Sequence, residues 1–323
     1  TLYPHSLLHR IKVMSMERYR KLSGFLKEKY GERVHRIPIF GGFSCPNRDG
    51  TKSKGGCIFC DPMGSGFATF YKLPIREQVL RYKEKLEKRG IKKFIAYFQA
   101  FSNTYAPVDV LREKYEEALV DDSIVQLSIS TRPDLLPEDV LDMLEEFKNR
   151  VDVSIEIGLQ TVNYKTLDIL NRSHTLAEFI DSAVRVKKHG FELVVHVIAN
   201  LPWDDMEDVI ETAKVISALN VDGVKIHSLY VVKGTALARM YEEGKVKICS
   251  LEEYIDRVIN FLEYLSPSIV IHRLVSDPPK DGTIFGNWGR AKIEVINEIE
   301  REMERRNSWQ GKRFDYLNRG VSL

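Results

Sequence analysis

The stretch Cys45-Pro-Asn-Arg-Asp-Gly-Thr-Lys-Ser-Lys-Gly-Gly-Cys57-Ile-Phe-Cys60 gathers three of the chain's four cysteines into sixteen residues. Cys57 and Cys60 form a C-x2-C clip, a spacing that lets two sulfurs reach one metal from a tight turn. Cys45 lies twelve positions earlier, across a polar, glycine-bearing loop that can fold back and deliver a third sulfur. A structural zinc site closes with four ligands. Three local thiolates without an obvious fourth point instead to an iron–sulfur cluster with one iron open to a small molecule. Zinc completed by a distant His or by Cys249 is the competing reading. A disulfide is expected mainly in a secreted chain, and the residues before Cys45 do not read as a signal peptide. Residues 34–43 read as a short buried strand ending in a glycine turn. That sets the cysteine loop at the carboxyl end of a first strand, a catalytic placement rather than that of a peripheral finger.

Working outward, strand-like and helix-like segments alternate from residue 34 to about 275, a rhythm that implies a parallel sheet wrapped by helices. The predicted strands are Val34–Phe40, Lys93–Phe98, Ile124–Ser130, Val153–Leu159, Glu192–Ile198, Gly223–Tyr230 and Ile269–Leu274. The predicted helices between them are Pro74–Arg89, Val108–Asp121, Pro137–Arg150, Tyr164–Leu170, Thr175–His189 and Met206–Ala218. Polar residues gather just after the strands, on what becomes one rim of a barrel. The expected fold is therefore α/β, a partial TIM-type (β/α)6 barrel over residues 34–275. A basic helical extension over 1–33 precedes it, and a loop-and-helix extension over 276–323 follows.

Hydrophobic content of 43% and charged content of 29% over 323 residues describe a globular protein with a sizeable core. No apolar run reaches membrane-spanning length, so no membrane partner and a cytoplasmic location are expected, and clustered cysteines suit a reducing compartment. The formal net charge of +2 says little, but residues 1–40 hold nine Lys/Arg against three acids. Such a segment either holds a polyanion or forms a solvated helix face.

The rim supplies further candidates. Gln99-Ala-Phe-Ser102-Asn103 follows the second predicted strand and Thr131-Arg132-Pro-Asp134 the third, while Glu156 and Gln160 belong to the fourth. The fifth carries His196 and runs into Asn200-Leu-Pro-Trp203; Lys225 and His227 follow on the next unit, and His272, Arg273 and Asp277 on the last. Each has a plain structural reading too: Glu156 pairing with Lys225 inside the barrel, His196 as a satisfied core histidine, Arg132 capping a loop. In a barrel, however, this end is where active sites form.

The cysteine loop with Phe59 before its last cysteine, followed by this βα rhythm, resembles the radical S-adenosylmethionine (SAM) enzymes. The usual signature has three residues between its first two cysteines; here there are eleven. Ser130-Thr-Arg132-Pro-Asp134, Glu156-Ile-Gly-Leu-Gln160, His196-Val-Ile-Ala-Asn-Leu-Pro and Lys225-Ile-His227 are similar to the branch that includes the Elongator catalytic subunit. Nearer still are the bacterial YhcC-like (YtqA-like) proteins. The resemblance implies that Cys45, Cys57 and Cys60 hold three irons of a 4Fe–4S cluster, with SAM on the fourth. It further implies reductive cleavage of SAM to methionine and a 5′-deoxyadenosyl radical. Phe59 then flanks the adenine, with Gln99 and Ser102 standing where many members have Gly-Gly-Glu. Glu156 and Gln160 are candidates for the ribose or amino group and Arg132 for the carboxylate, with His196 also placed at the cofactor.

The same resemblance suggests tRNA as substrate, at a wobble uridine side chain, and a reductase or a flavodoxin or ferredoxin as electron donor. The basic segment 1–40 and the tail from Arg301 to Arg313 are candidate phosphate contacts, although the tail's glutamates also suit an ion-paired helix. Trp288 either stacks on a base or packs as a lid, and Cys249 is either a hydrogen-atom donor or a small buried thiol. A small-metabolite radical enzyme and a zinc-binding nucleic-acid module are the alternatives.

Overall fold

The computed structural model describes residues 17–61, 64, 69–70 and 72–317. Seven parallel strands form one sheet in sequential order: β1 (Val34–Phe40), β2 (Lys93–Gln99), β3 (Ile124–Thr131), β4 (Asp152–Gln160), β5 (Glu192–Ile198), β6 (Gly223–His227) and, after a two-residue strand β7 (Val231–Val232), β8 (Val270–Arg273). β1 and β8 are the two edges, so the barrel is partial as expected, with the seven strands read from the sequence. Val231–Val232 turns away from the sheet to pair antiparallel with β9 (Thr283–Phe285), so the strand expected to reach Tyr230 ends at His227.

Side-chain alternation gives the sheet two different faces. Ile37, Ile39, Phe94, Ala96, Phe98, Leu127, Ile129, Ile155 and Ile157 face the helices and are fully buried. The opposite face carries Arg36, Tyr97, Ser128, Ser130, Glu156, His196 and Lys225 into the barrel, because successive strand residues point to opposite sides. Gly223 is required there: a Cβ on it would come 2.5 Å from Nε2 of the His272 imidazole.

Outside the sheet lie α1 (Leu22–Tyr30), α2 (Pro46–Asp49), α3 (Ile75–Glu87), α4 (Val108–Ala118), α5 (Glu138–Glu145), α6 (Tyr164–Ile169), α7 (Leu176–Lys188), α8 (Met206–Ala218), α9 (Ala236–Glu242), α10 (Leu251–Tyr264) and α11 (Lys292–Arg305). Local chemistry starts several of them. Thr175 and Glu178 form a capping box on α7, Asp205 and Asp208 another on α8, and the side chains of Asn163 and Ser250 accept first-turn N–H groups of α6 and α10.

The expected basic arm is folded into the body. Helix α1 crosses the amino-terminal mouth of the barrel, where Lys29 pairs with Asp152 and Glu192, the first residues of β4 and β5. The Tyr30 hydroxyl donates to Asp152, and Leu26 packs with Ile95 and Tyr97. Ahead of α1, Lys21 pairs with Glu300 at 2.8 Å, Arg20 donates to the Ser268 carbonyl and Arg18 to Asn307. Arg36 is inside the barrel on Glu156. Each of these cations has a partner within the fold, at the end opposite the cysteine loop, while Lys27 and Arg33 are exposed. Arg10 and Lys12 lie outside the described residues.

The carboxyl-terminal helix is ion-paired, as its glutamates suggested: Arg305 and Arg306 pair with Glu302, Arg306 also with Asp256, and Arg313 with Glu263. Its Val295, Ile299 and Met303 are fully buried in the main core, so the terminal segments complete one body. Trp288 packs against Tyr254 and Phe285 and donates its indole N–H to the Cys249 carbonyl, the lid role rather than base stacking. Among the described residues no helix is long and apolar enough to cross a membrane.

Candidate active site

A cavity of about 330 Å³ opens at the carboxyl ends of the strands. Cys45, Cys57 and Cys60 line it together with the cofactor candidates Phe59, Gln99, Ser102, Arg132, Glu156, Gln160 and His196, whereas Asn103, Asp134, Asn200, Trp203 and His272 of the rim are not among its lining residues. Cys249 is not among its lining residues; burial pushes its thiol up to about 11, which suits an inert structural cysteine.

The cysteine loop is seated by contacts that its own sequence does not announce. Cys45 caps α2, whose Arg48 and Asp49 amides donate to its carbonyl, and the Cys60 amide returns to the Cys57 carbonyl at 3.0 Å. The Asn47 side chain donates to the carbonyls of Asn171 and Arg172, and Asn171 reciprocates to the carbonyls of Lys54 and Gly56. Ile58 is pinned on both sides, its N–H on the Leu170 carbonyl and its carbonyl on the Leu237 N–H. The 170–172 turn after α6 is therefore the bed of the loop, more than a hundred residues downstream in sequence.

Two guanidiniums reach the sulfurs. Arg48 Nη2 lies 3.1 Å from Cys60 Sγ, and Arg172 Nη1 lies 3.3 Å from buried Cys57 Sγ. Arg172 is held in turn by the Gly158 carbonyl and by His174, whose pKa burial and the neighbouring arginines lower to about 3. Burial drives Cys60 up to about 11, with Arg48 opposing that rise. A cationic donor beside each sulfur favours the thiolate that a metal needs.

The turn after β2 adopts glycine geometry without glycine: Ala100 has φ 73° and Phe101 φ 59°. Non-glycine residues in this region carry strain that persists where surrounding contacts fix it. Here Asn103 does the fixing, donating to the carbonyls of Ala100 and Ser130, and the Ser102 amide reaches the Ser44 carbonyl. The turn thus ties β2 to the cysteine loop. The Ser102 hydroxyl is buried, lines the cavity and has no partner among the described residues.

Arg132 sits bidentate on Asp134 (2.9 and 3.1 Å) and donates to the Arg172 carbonyl, leaving Nη1 buried without a partner. Its loop-holding role and a free donor coexist. Glu156 departs further from the cofactor contact expected of it. Oε1 accepts from Arg36 (2.9 Å) and Ser128 (3.0 Å), while Oε2 contacts Lys225, His196 (2.8 Å) and Ser130 (3.4 Å). Burial opposes its ionisation, but Lys225 and Arg36 outweigh this and hold the carboxyl well below its usual range. Both oxygens are paired within the barrel, so Glu156 is an electrostatic anchor. His196 is part of that anchor, within hydrogen-bond reach of His227 (3.3 Å), and is lowered by burial to about 4, so it is neutral.

The donor set tests the metal readings. A tetrahedral zinc with Zn–S near 2.3 Å draws its sulfurs to about 3.8 Å from one another. Among the described residues, the one group of three or more His, Cys, Asp or Glu whose ligand atoms all lie within 4.8 Å is Glu138, Asp142 and His189, outside the cavity. The cysteines are spread wider, and the cavity histidines His196 and His227 are spent on Glu156, Ser276 and each other. Three spaced sulfurs fit a multi-iron cluster, and the orphaned Ser102 hydroxyl and Arg132 Nη1 fit a polar cosubstrate beside it.

Sequence comparison decides the family. The Radical SAM superfamily pattern matches residues 45–216, and the Radical_SAM C-terminal domain matches 221–305. The chain belongs to the radical SAM superfamily. It is 42% identical over 309 residues to the YtqA protein of Bacillus subtilis, covering 95% of this chain and 96% of that one. It is 31% identical over 186 residues to Elongator complex protein 3 of Danio rerio, covering 55% of this chain and 33% of that longer protein. The archaeal Methanocaldococcus infernus Elp3 structure, lacking its amino terminus, superposes with a TM-score of 0.67 at 18% identity over 86% of this chain and 64% of that one, a likeness of fold. Members of this superfamily are enzymes that use a 4Fe–4S cluster and SAM.

Proposed function

We propose that this radical SAM enzyme modifies tRNA at the side chain of a wobble uridine. The observation that carries the chemistry is the single cavity in which three spaced cysteines face orphaned polar donors at the mouth of a polar barrel. Sequence likeness to Elongator complex protein 3 supports the substrate. When bound, the cluster supplies the electron that splits SAM into methionine and a 5′-deoxyadenosyl radical.

The chain's own residues do the rest. Cys45, Cys57 and Cys60 hold the cluster, and Arg48 and Arg172 set a cationic donor against the sulfurs of Cys60 and Cys57. Ser102 and Arg132 Nη1 bind the amino and carboxylate ends of SAM, with Gln99 and Gln160 beside them and Phe59 against the adenine. Packing of Phe59 and Ile58 on Leu170, Ile198 and Leu229 keeps water from that side. A reductase, flavodoxin or ferredoxin delivers the electron from outside.

The test is anaerobic reconstitution followed by reduction. We expect ~4 irons and ~4 sulfides per chain, release of 5′-deoxyadenosine from SAM, and loss or gain of one modified uridine in tRNA nucleosides of a deletion strain. Stoichiometric zinc without iron sinks the cluster; an unchanged tRNA profile sinks the substrate. A small metabolite is the second reading, favoured by the modest cavity and by the ion pairs that tie Lys21 and Lys29 to the fold.

A further inference from the structure

The barrel interior beneath the cavity carries more positive than negative charge. Arg36 and Lys225 pair directly with one carboxylate, Glu156, and Arg273 adds a third positive charge close to Lys225. Arg273 faces the same cavity as Lys225, His196 and His227, and its ion pair is a loose one of 3.6 Å to Asp277, which Lys292 holds more closely at 2.6 Å. Counting the Asp277–Lys292 pair leaves the excess unchanged. Even with Lys225 neutral, two guanidiniums face one carboxylate. One further carboxylate acts on Arg36, that of Glu192 at the start of β5, but Lys29 pairs with it at 3.2 Å, so it leaves the excess in place. Tyr97 lies beneath the Lys225 ammonium, His272 contacts Arg36 at 2.8 Å, and His227 meets Ser276. Arg36 Nε is buried with no partner. Burial and the Arg36 charge lower Lys225 well below its ordinary value, and burial with Arg273 nearby does the same to His227, as befits a site short of negative charge. Uncompensated charge in a desolvated site is costly, and a bound anion offsets that cost.

We infer that Arg273 and Lys225, backed by Arg36, form a subsite for an anionic oxygen group of the substrate, a carboxylate on the modified base or a nucleotide phosphate. Arg273 is the reachable member: its side chain is about a third exposed, whereas Lys225 is buried against Glu156. A guanidinium fork matches the planar pair of carboxylate oxygens or two phosphate oxygens. Arg273 ends edge strand β8, whereas the orphaned Ser102 and Arg132 donors follow β2 and β3, so the anion is assigned to the substrate rather than to SAM. The inference rests on the uridine reading for its probes only.

The experiment titrates SAM-loaded anaerobic holoenzyme by calorimetry with a uridine bearing an acetate side chain at C5, its neutral methyl ester, uridine, and uridine 5′-monophosphate. The acid is expected to bind at least about tenfold tighter than the ester, the scale of a charge-assisted contact. Arg273→Gln should abolish that advantage, Arg273→Lys should keep most of it, and SAM affinity should stay unchanged in both. If the monophosphate alone gains and Arg273→Gln removes the gain, the anion is a phosphate and the subsite stands. Acid, ester, monophosphate and uridine binding alike overturns it, as does an equal fall in SAM affinity, which assigns Arg273 to SAM. Acetate and inorganic phosphate are run separately. Arg273-dependent binding of either, with no uridine derivative binding, keeps the subsite and removes the uridine reading. If neither anion nor any uridine derivative binds, both fall.

Discussion

Replacing Glu156 by glutamine tests the electrostatic anchor of the barrel. The substitution preserves shape and removes one negative charge from a fully buried carboxylate that contacts Arg36, Lys225, His196 and two serines. Two cations then remain desolvated without a counter-charge, and breaking a buried pair by deleting one partner costs ~3–5 kcal/mol. At ~2–4 °C per kcal/mol for a large domain, thermal unfolding should move down by roughly 6–20 °C. The assay is thermal unfolding by circular dichroism at pH 7 on cluster-free protein, so that loss of metal does not contribute. Acidification gives the second arm. Because Glu156 is held well below its ordinary value of 4.5, its contribution is fully present above that value. It is lost as pH falls through the lower folded pKa. The gap between parent and Glu156→Gln should therefore narrow below about pH 4.5. Adding Lys225→Met should recover part of the loss, a coupling that a double-mutant cycle reads directly. A loss under about 1 kcal/mol at pH 7, within the range of an exposed ion pair, or a gap that does not change with pH, refutes the anchor.

Cys45→Ala, Cys57→Ala and Cys60→Ala should each abolish the broad iron–sulfur absorption near ~400 nm after reconstitution, whereas Cys249→Ala should retain it. Arg48→Gln and Arg172→Gln should keep iron content but lower the cluster reduction potential in an anaerobic redox titration, because each removes a cationic donor at a cysteine sulfur; an unmoved potential counts against that role. Replacing Arg18, Arg20 and Lys21 together by Glu should lower thermal stability, through loss of the Glu300, Ser268 and Asn307 contacts, without changing the salt dependence of tRNA binding. Burial raises Asp204 to about 6, so its ionisation works against folding as pH rises through that value. Asp204→Asn, which keeps an acceptor for the Thr166 hydroxyl, should therefore gain ~2–3 kcal/mol on the parent between pH 4 and pH 7 in chemical denaturation; a constant difference rejects the shift.

The strands were legible because their helix-facing residues recur at every second position and are apolar without exception in β2 and β4, while turns and caps punctuate them. What sequence could not show was where a polar residue's partner lies. Residues 223–230 read as one strand, yet Ser228 is claimed by Asn287 and the Ser276 amide, and the chain turns there to pair with β9. The charges of residues 17–36 looked available because their partners, Glu192, Glu156 and Glu300, are more than a hundred residues away. A cluster of like charges in sequence is thus a weak guide to surface potential. Half of an ion pair gives no sign of its other half.

The site divides along the same line. The cysteine clip is a local code, since three sulfurs reaching one body are constrained by spacing within a single loop. Its bed is not local: Asn47, Arg48, Asn171 and Arg172 make sense only once the 170–172 turn lies beneath the loop. Asn171 and Ser173 at φ 53° and 54° show how tightly that turn is wound to present its carbonyls to Asn47. The same logic separates Ser102 from Glu156. Both were chosen as polar residues at strand ends, and both are buried. Burial removes water from each, so each must find a partner or leave a donor or acceptor unmet. Glu156 found five within the chain, and Ser102 found none. An unmet hydroxyl held in place by a strained turn and facing the cysteines is the stronger sign of a ligand, because the fold gains nothing from leaving it there.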